Sequence, residues 1–162
     1  MPPDIMHPML IQPSQADVRR FFCGVYAKTH GATALQEGLT GLNLSPLEVL
    51  VSGWIDEHPE YHAELADLEG ALRLMEQVDT NRDNPFLHLS MHLSISEQCS
   101  IDQPRGIRQA LDLLTARRNS LHTAHHEVME CLGRMVMESQ QKGKPPDGAA
   151  YVACVQRHAT RD

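Results

Sequence analysis

The sequence predicts an all-α protein, an antiparallel helical bundle of about five to seven helices. Three observations support this prediction. Leucine and alanine outnumber the β-branched residues in most periodic segments, which favours helix over strand. Two segments begin with a capping residue followed by proline, at Ser45-Pro46 and at Asn84-Pro85, as helices do. No segment has the turn residues or the β-branched density of a β-hairpin.

The chain begins with a stretch that has no periodicity. Residues 1–14 hold four prolines, so we expect an extended arm ahead of a single domain over residues 15–162. The first helix should cover residues 15–28, because apolar side chains recur there at helical spacing, at Val18, Phe21, Phe22 and Val25. Residues 29–43 contain three glycines and are predicted to form a loop.

The second helix starts at a strong signal. Ser45 and Glu48 can form a capping box around Pro46 in the first turn. Pro59 interrupts the apolar stripe that follows, since its ring cannot continue the helical hydrogen bonds. A third helix is predicted beyond it, fading in residues 79–84, from the spacing of Tyr61, Leu65, Leu68, Leu72 and Met75.

Three further helices are predicted in the last third of the chain. Residues 101–106 form a turn, and a helix follows that is defined by Ile107, Ala110, Leu111 and Leu114. Ser120 can cap the next helix, which should run to Lys142 and end at Gly143. A short final helix is expected from about Asp147.

The stretch FLHLSMHLSISEQ, residues 86–98, carries two conflicting patterns. Apolar and polar residues alternate strictly from Leu87 to Ser96, which is typical of a half-buried strand. Such a strand would have no partner, and the Asn-Pro start is helical, so we predict a helix. His88 and His92 would then lie one above the other, opposite a side formed by Ser90, Ser94 and Glu97.

Charge and composition exclude several classes of protein. The 162 residues carry a formal net charge of -7, whereas nucleic acids and anionic membranes select basic surfaces. No apolar run is long enough to span a bilayer, and the amino end lacks a basic region followed by an apolar one. We therefore expect a cytoplasmic protein with no nucleic-acid or membrane partner. The sequence leaves homodimerisation and the identity of any protein partner open.

The four cysteines are scattered along the chain, at Cys23, Cys99, Cys131 and Cys154. No two of them form a CxxC pair, so neither a zinc ribbon nor a disulfide framework is indicated. We expect buried free thiols.

Histidine is the unusual feature of the composition. Seven of the ten histidines fall in three short windows, and each window contains a pair four residues apart: His58 with His62, His88 with His92, and His122 with His126. Two imidazoles at this spacing on a helix project in one direction, as in the HExxH zinc helix. Three such pairs on separate helices predict a common metal site, with the pairs converging on one ion or ion pair.

Structural roles remain the alternative for each pair. His58 directly precedes Pro59, so it can equally cap a helix end. His88 and His92 can be core residues that hydrogen-bond inside the bundle. His125 competes with its neighbours for either role, because it points nearer the middle of an apolar face centred on Leu121, Val128, Leu132 and Val136.

Carboxylates are the natural co-ligands in helical bundles. Glu130 lies one turn beyond His126 and is the best candidate. Glu97 is predicted to point away from His92, while Cys99 shares the line of His88 and His92 and can supply a thiolate or fill the core. The carboxylates near the first pair are predicted to face solvent and not to bind metal; they are Glu60, Glu64 and Asp67.

Six histidines exceed the needs of one tetrahedral ion, so either two ions bind or one pair supports the ligands. A nitrogen-rich shell suits iron, zinc, copper or nickel and excludes magnesium and calcium. We expect iron or zinc. A b-type haem is a rival, although the chain has only seven aromatic residues to line a porphyrin pocket. The second rival is a metal-free interaction module whose histidines are structural or sense pH.

The segment NPFLHLSMHLSISEQ, the pair HPEYH and the run from His122 through EVMECLG to the PPD-containing tail carry a resemblance. With them, the chain from about Asp17 onward resembles a family of small proteobacterial proteins, domain of unknown function 1841. The resemblance implies no activity. The pattern is also similar to hemerythrin-like di-iron bundles, but the order of the motifs differs and a second well-placed carboxylate is missing.

The sequence therefore predicts a helical bundle that binds one or two transition-metal ions through His58, His62, His88, His92, His122, His126 and Glu130. With an open coordination position the protein would be a small oxidase, hydrolase or redox and oxygen sensor. No nucleophile or base constellation selects a reaction, so catalytic residues and enzyme activity stay unassigned.

Overall fold

The computed structural model describes residues 14–30, 44–75 and 84–161 of the chain. These ranges contain eight α-helices and one 3-10 turn, and no residue within them lies in a β-strand. The predicted all-α class is confirmed, with slightly more helices than the predicted range of about five to seven. The helices are α1 (Gln15–His30), α2 (Pro46–Asp56), α3 (His62–Leu65), α4 (Leu68–Leu74), α5 (Pro85–Ile101), α6 (Ile107–Arg118), α7 (Leu121–Lys142) and α8 (Gly148–Ala159).

Side-chain caps begin several of these helices where the sequence predicted them. Ser45 Oγ accepts a hydrogen bond from the Glu48 amide at 3.1 Å, and Glu48 Oε1 accepts one from the Ser45 amide at 3.0 Å. Asn84 Oδ1 accepts from two amides of the first turn of α5, at 3.0 and 3.2 Å. Ser120 Oγ caps α7 in the same way at 3.0 Å. Gly143, with φ of +62°, ends α7 in the left-handed conformation that glycine adopts readily.

The segment after Pro59 contains one more helix than predicted. Helix α2 ends three residues before it, and Pro59 opens the 3-10 turn Pro59–Tyr61. Asp67 then starts another helix, since its Oδ1 accepts from the Gly70 amide at 3.0 Å. The third helix predicted as continuous through Met75 is therefore divided into α3 and α4.

The alternating stretch is helical, so the strand alternative was wrong. Helix α5 spans the whole stretch from Pro85 to Ile101. It buries residues on more than one side: Phe86, Leu89, His92, Leu93, Ile95 and Glu97. The helix is thus buried around much of its circumference. The spacing of apolar residues alone does not distinguish such a helix from a strand.

The described residues pack into two compact units, which divide between Leu89 and Ser90 within α5. In unit 1, helix α1 packs against α2, α3 and α4. The buried core of this unit includes Phe22, Val25, Val51, Trp54, Ile55 and Leu65. The single domain expected over residues 15–162 stays a prediction.

In unit 2, helices α6, α7 and α8 pack against one another in pairs. Their core includes Ile95, Ile107, Leu114, Val128, Tyr151 and Val155. Two residues expected on the apolar face of α7, Leu121 and Val136, are instead 47% and 41% exposed. Helix α7 has 22 residues whereas α6 and α8 have 12 each, so its partners leave parts of that face uncovered.

The cysteines differ from the expectation of four free thiols. Cys131 of α7 and Cys154 of α8 form a disulfide, with their Cα atoms 5.8 Å apart. Cys23 and Cys99 are free thiols. The cross-link joins residues 23 positions apart in the sequence, so it depends on how α7 and α8 pack and not on any local motif.

None of the described helices combines the length and apolar character needed to cross a bilayer. Parts of three sequence predictions fall outside the described residues. They are the arm before Ser14, the loop over residues 31–43 and the end of the third helix in residues 76–83.

Candidate metal centre

Three histidines of unit 2 form a compact group. His92 lies on α5, and His122 and His126 lie one turn apart on α7. The rings of His122 and His126 have centroids 4.5 Å apart, and the His92 ring lies 5.3 and 5.4 Å from them. One ring nitrogen from each residue lies within 4.8 Å of the other two. The predicted pair on α7 thus meets one histidine of the predicted pair on α5.

The exposure of this group increases from one ring to the next. His92 is fully buried, His122 is half-buried and His126 is exposed. The Ser120 cap places His122 in the first turn of α7, where the helix begins near solvent. An ion can therefore reach the group from the His126 side, while the His92 side is closed by the core.

His125 is a buried partner of His92. Their Nδ1 atoms lie 3.1 Å apart, so one Nδ1–H donates to the other Nδ1 and the two rings adopt different tautomers. Burial, together with the neighbouring His122 and His126, lowers the pKa of His125 to about 3. His125 is consequently neutral near pH 7, and it orients His92 in the way that second-layer residues orient metal-binding imidazoles.

Unit 1 contains a second histidine contact. The Nδ1–H of His58 donates to the Trp54 carbonyl at 2.7 Å, because a carbonyl can only accept. A neutral His58 is therefore unprotonated at Nε2, and this atom lies 3.1 Å from Nε2 of His88. His58 is 1% exposed and stacks on Tyr61 with ring centroids 5.2 Å apart. Two imidazole nitrogens are thus held close together at the start of α5.

His58 and His62 do not share one helix. The break at Pro59 leaves His58 after the end of α2, and His62 begins α3. His62 Nε2 donates to the Ile55 carbonyl at 2.9 Å, and its ring lies beside Tyr26 and His30. The backbone therefore occupies one nitrogen of His62, and metal binding by this residue stays a prediction.

The candidate ligands that are not histidines lie in different environments. Glu130 is exposed on α7, one turn beyond His126. Glu97 was expected on a polar side of α5. It is instead buried, and so are both oxygens of its carboxylate. Cys99 is half-buried against the core of unit 2, and burial raises the pKa of its thiol to about 11. Among the described residues, none of the three belongs to the close group formed by His92, His122 and His126.

The group on α5 and α7 has the dimensions of a metal shell. Nitrogens bound at 2.0–2.1 Å to a tetrahedral ion are separated by about 3.3–3.5 Å, and one nitrogen from each of the three rings already lies within 4.8 Å of the other two. Three imidazoles leave one tetrahedral position for water or another ligand. The spacing of the histidines predicts these ligands, but it does not reveal the contact of His125 with His92, because that contact joins two helices.

Comparison with known proteins adds a family and no function. No curated protein and no solved structure matches the chain. Residues 14–157 match the family described as domain of unknown function (DUF1841), which confirms the resemblance carried by the sequence motifs. Because the match covers most of its 162 residues, the chain belongs to this family of unknown function.

Proposed function

We propose that the protein binds a transition-metal ion, iron or zinc, through His92, His122 and His126. The observation that carries this proposal is the approach of three imidazole nitrogens within 4.8 Å on two helices of unit 2. Nitrogen ligands select transition metals over magnesium and calcium. The contact between His92 and His125 supports the proposal further, because a His92 that binds metal through Nε2 can donate its Nδ1–H to His125, and ligand histidines normally have such an acceptor.

The wider ligand set predicted from the sequence is part of this proposal. Glu130 or water is proposed for the remaining position, since Glu130 is on the exposed side of α7 near His126. His58 and His88 are proposed as ligands of a second ion in unit 1, supported by their 3.1 Å contact. His62 would have to exchange its bond to the Ile55 carbonyl for an ion.

A metal with an open position polarises water or dioxygen, and this would allow hydrolytic, oxidative or sensing chemistry. The exposed His126 side gives small molecules access to such a position. We propose a small metalloenzyme or a redox or oxygen sensor, cytoplasmic in location. Haem binding has no comparable support from the described residues.

The bonds from His58 and His62 to backbone carbonyls favour a second candidate, a metal-free interaction protein with structural histidines. Such bonds satisfy buried imidazoles without an ion. The two candidates differ in one measurable property. The first requires stoichiometric metal that depends on His122 and His126, whereas the second requires none.

Elemental analysis of protein purified without an affinity tag tests the proposal. The wild-type chain should contain iron or zinc, or regain one of them after chelation and dialysis against the metal. The double variant H122A/H126A should lose this metal. The variant H30A is the matched control, because His30 pairs with Asp56 in unit 1 and lies outside the group. No metal uptake by folded wild-type protein would overturn the proposal and leave the interaction protein.

A further inference from the structure

A second group of metal-binding side chains lies around the disulfide of unit 2. Cys154 and His158 are one turn apart on α8, and Cys131 faces them from α7. One ring nitrogen of His158 and the two sulfurs all lie within 4.8 Å of one another. Both cysteines are buried and His158 is half-buried. Two sulfurs and an imidazole are the ligand types that zinc prefers.

His158 has a carboxylate partner at one of its two ring nitrogens. Its Nδ1 lies 3.0 Å from Glu127 Oε1. Glu127 in turn accepts two hydrogen bonds from Arg118, at 2.6 and 3.0 Å, which keep it ionised. A neutral His158 donates its Nδ1–H to this carboxylate, and its lone pair is then on Nε2. The same carboxylate–histidine arrangement orients imidazoles in known zinc sites.

The sulfurs border an opening on the surface of unit 2. A cavity of about 570 Å³ is lined by both cysteines and by four cationic residues, Arg134, Lys142, Lys144 and Arg157. Its lining also includes the carboxylates Glu138 and Asp147. The cavity therefore gives a small reductant access to the side of the disulfide that it borders.

We propose that Cys131, Cys154 and His158 form a redox-gated zinc site, closed as a disulfide in the oxidised protein and open to zinc after reduction. This site is separate from the one proposed for His92, His122 and His126. In both states a link between α7 and α8 is kept, first as a covalent bond and then as a shared ion.

The chemistry balances with a dithiol as reductant. Two electrons and two protons pass from the dithiol to the Cys131–Cys154 bond, so the reductant becomes a disulfide and the protein gains two thiols. Binding of Zn²⁺ displaces the two thiol protons, and the ion is bound by two thiolates, His158 and one water. The sulfurs must separate to about 3.8 Å, which a tetrahedral shell with Zn–S bonds of about 2.3 Å requires.

Cobalt is a suitable probe, because a thiolate bound to Co²⁺ gives a charge-transfer band that imidazole ligands do not give. The variant C23S/C99S leaves Cys131 and Cys154 as the remaining cysteines. We expect the anaerobically reduced variant to bind one Co²⁺ per chain with this band, and Zn²⁺ to displace it. The oxidised variant should show no band. Binding at the three-histidine group would also produce no band, so the two proposals can fail independently.

Additional substitutions test His158 and Glu127. H158A in the C23S/C99S background should weaken cobalt binding by about tenfold or more, and E127Q by about 10–100-fold. Circular dichroism follows folding in the same samples. Absence of the band in reduced folded protein, unchanged affinity in H158A, or a reduced chain that loses helix and does not regain it with metal would each overturn the proposal.

Discussion

The Nδ1 atoms of His92 and His125 lie 3.1 Å apart in the interior of unit 2. Burial lowers the pKa of His125 to about 3 from its ordinary value of 6.5. Between these two pH values the unfolded chain binds a proton at His125 that the folded chain does not. The free energy of unfolding should therefore fall as the pH decreases below 6.5, by roughly 1.4 kcal/mol per pH unit from this residue.

The variant H125N isolates this contribution, because asparagine keeps a polar group near the Nδ1 position and does not titrate. Urea unfolding of metal-free protein at about pH 7 and about pH 5 should show a smaller loss of stability in H125N than in wild type. H30N serves as the control for loss of a half-buried histidine outside this contact. Equal pH dependence in H125N and wild type would show that His125 is protonated in the folded state.

Substitution of His126 distinguishes a role in metal binding from a role in the fold. Because its side chain is exposed, H126A should change the stability of the metal-free protein by no more than about 0.5 kcal/mol. The same variant should bind iron or zinc more weakly, and the metal should raise its thermal midpoint less than in wild type. E130A tests the adjacent carboxylate by the same two measurements. A lower metal-free stability with unchanged metal affinity would assign His126 to the fold.

Titration of thiols tests the cysteine pairing. Denatured protein that has not been reduced should react with Ellman's reagent at two thiols, and reduced protein at four. In the folded state Cys99 should react slowly, since a pKa of about 11 leaves about 100-fold less thiolate near pH 8 than the ordinary thiol pKa of 9.0. Four reactive thiols in the unreduced denatured chain would contradict the disulfide.

Asn84 controls the start of helix α5. Its side chain accepts hydrogen bonds from two amides of the first turn, so N84A should lower the free energy of unfolding by about 1 kcal/mol. N84D retains an acceptor and is the matched control. A negligible loss in N84A would mean that the cap contributes little and that the packing of Phe86 and Leu89 holds the start of the helix.

Local features of the fold were predictable, because the caps at Ser45, Asn84 and Ser120 act within a few residues of sequence. The spacing of His122 and His126 also indicated their common direction, since one helix carries both. His58 and His62 do not share a direction in this way, because the helix breaks at Pro59 between them. The bond between Cys131 and Cys154 and the contact of His125 with His92 depend on helix packing, which periodicity does not encode.

The gradient of exposure from His92 to His126 has a kinetic consequence for any ion in this group. His126 can rotate away from the site through solvent, whereas His92 is fixed by its surroundings. Dissociation would then proceed through one mobile side chain while the buried ring keeps its place. Such an arrangement favours exchange of the ion with other carriers over permanent retention, and the lifetime of the bound ion would depend chiefly on His126.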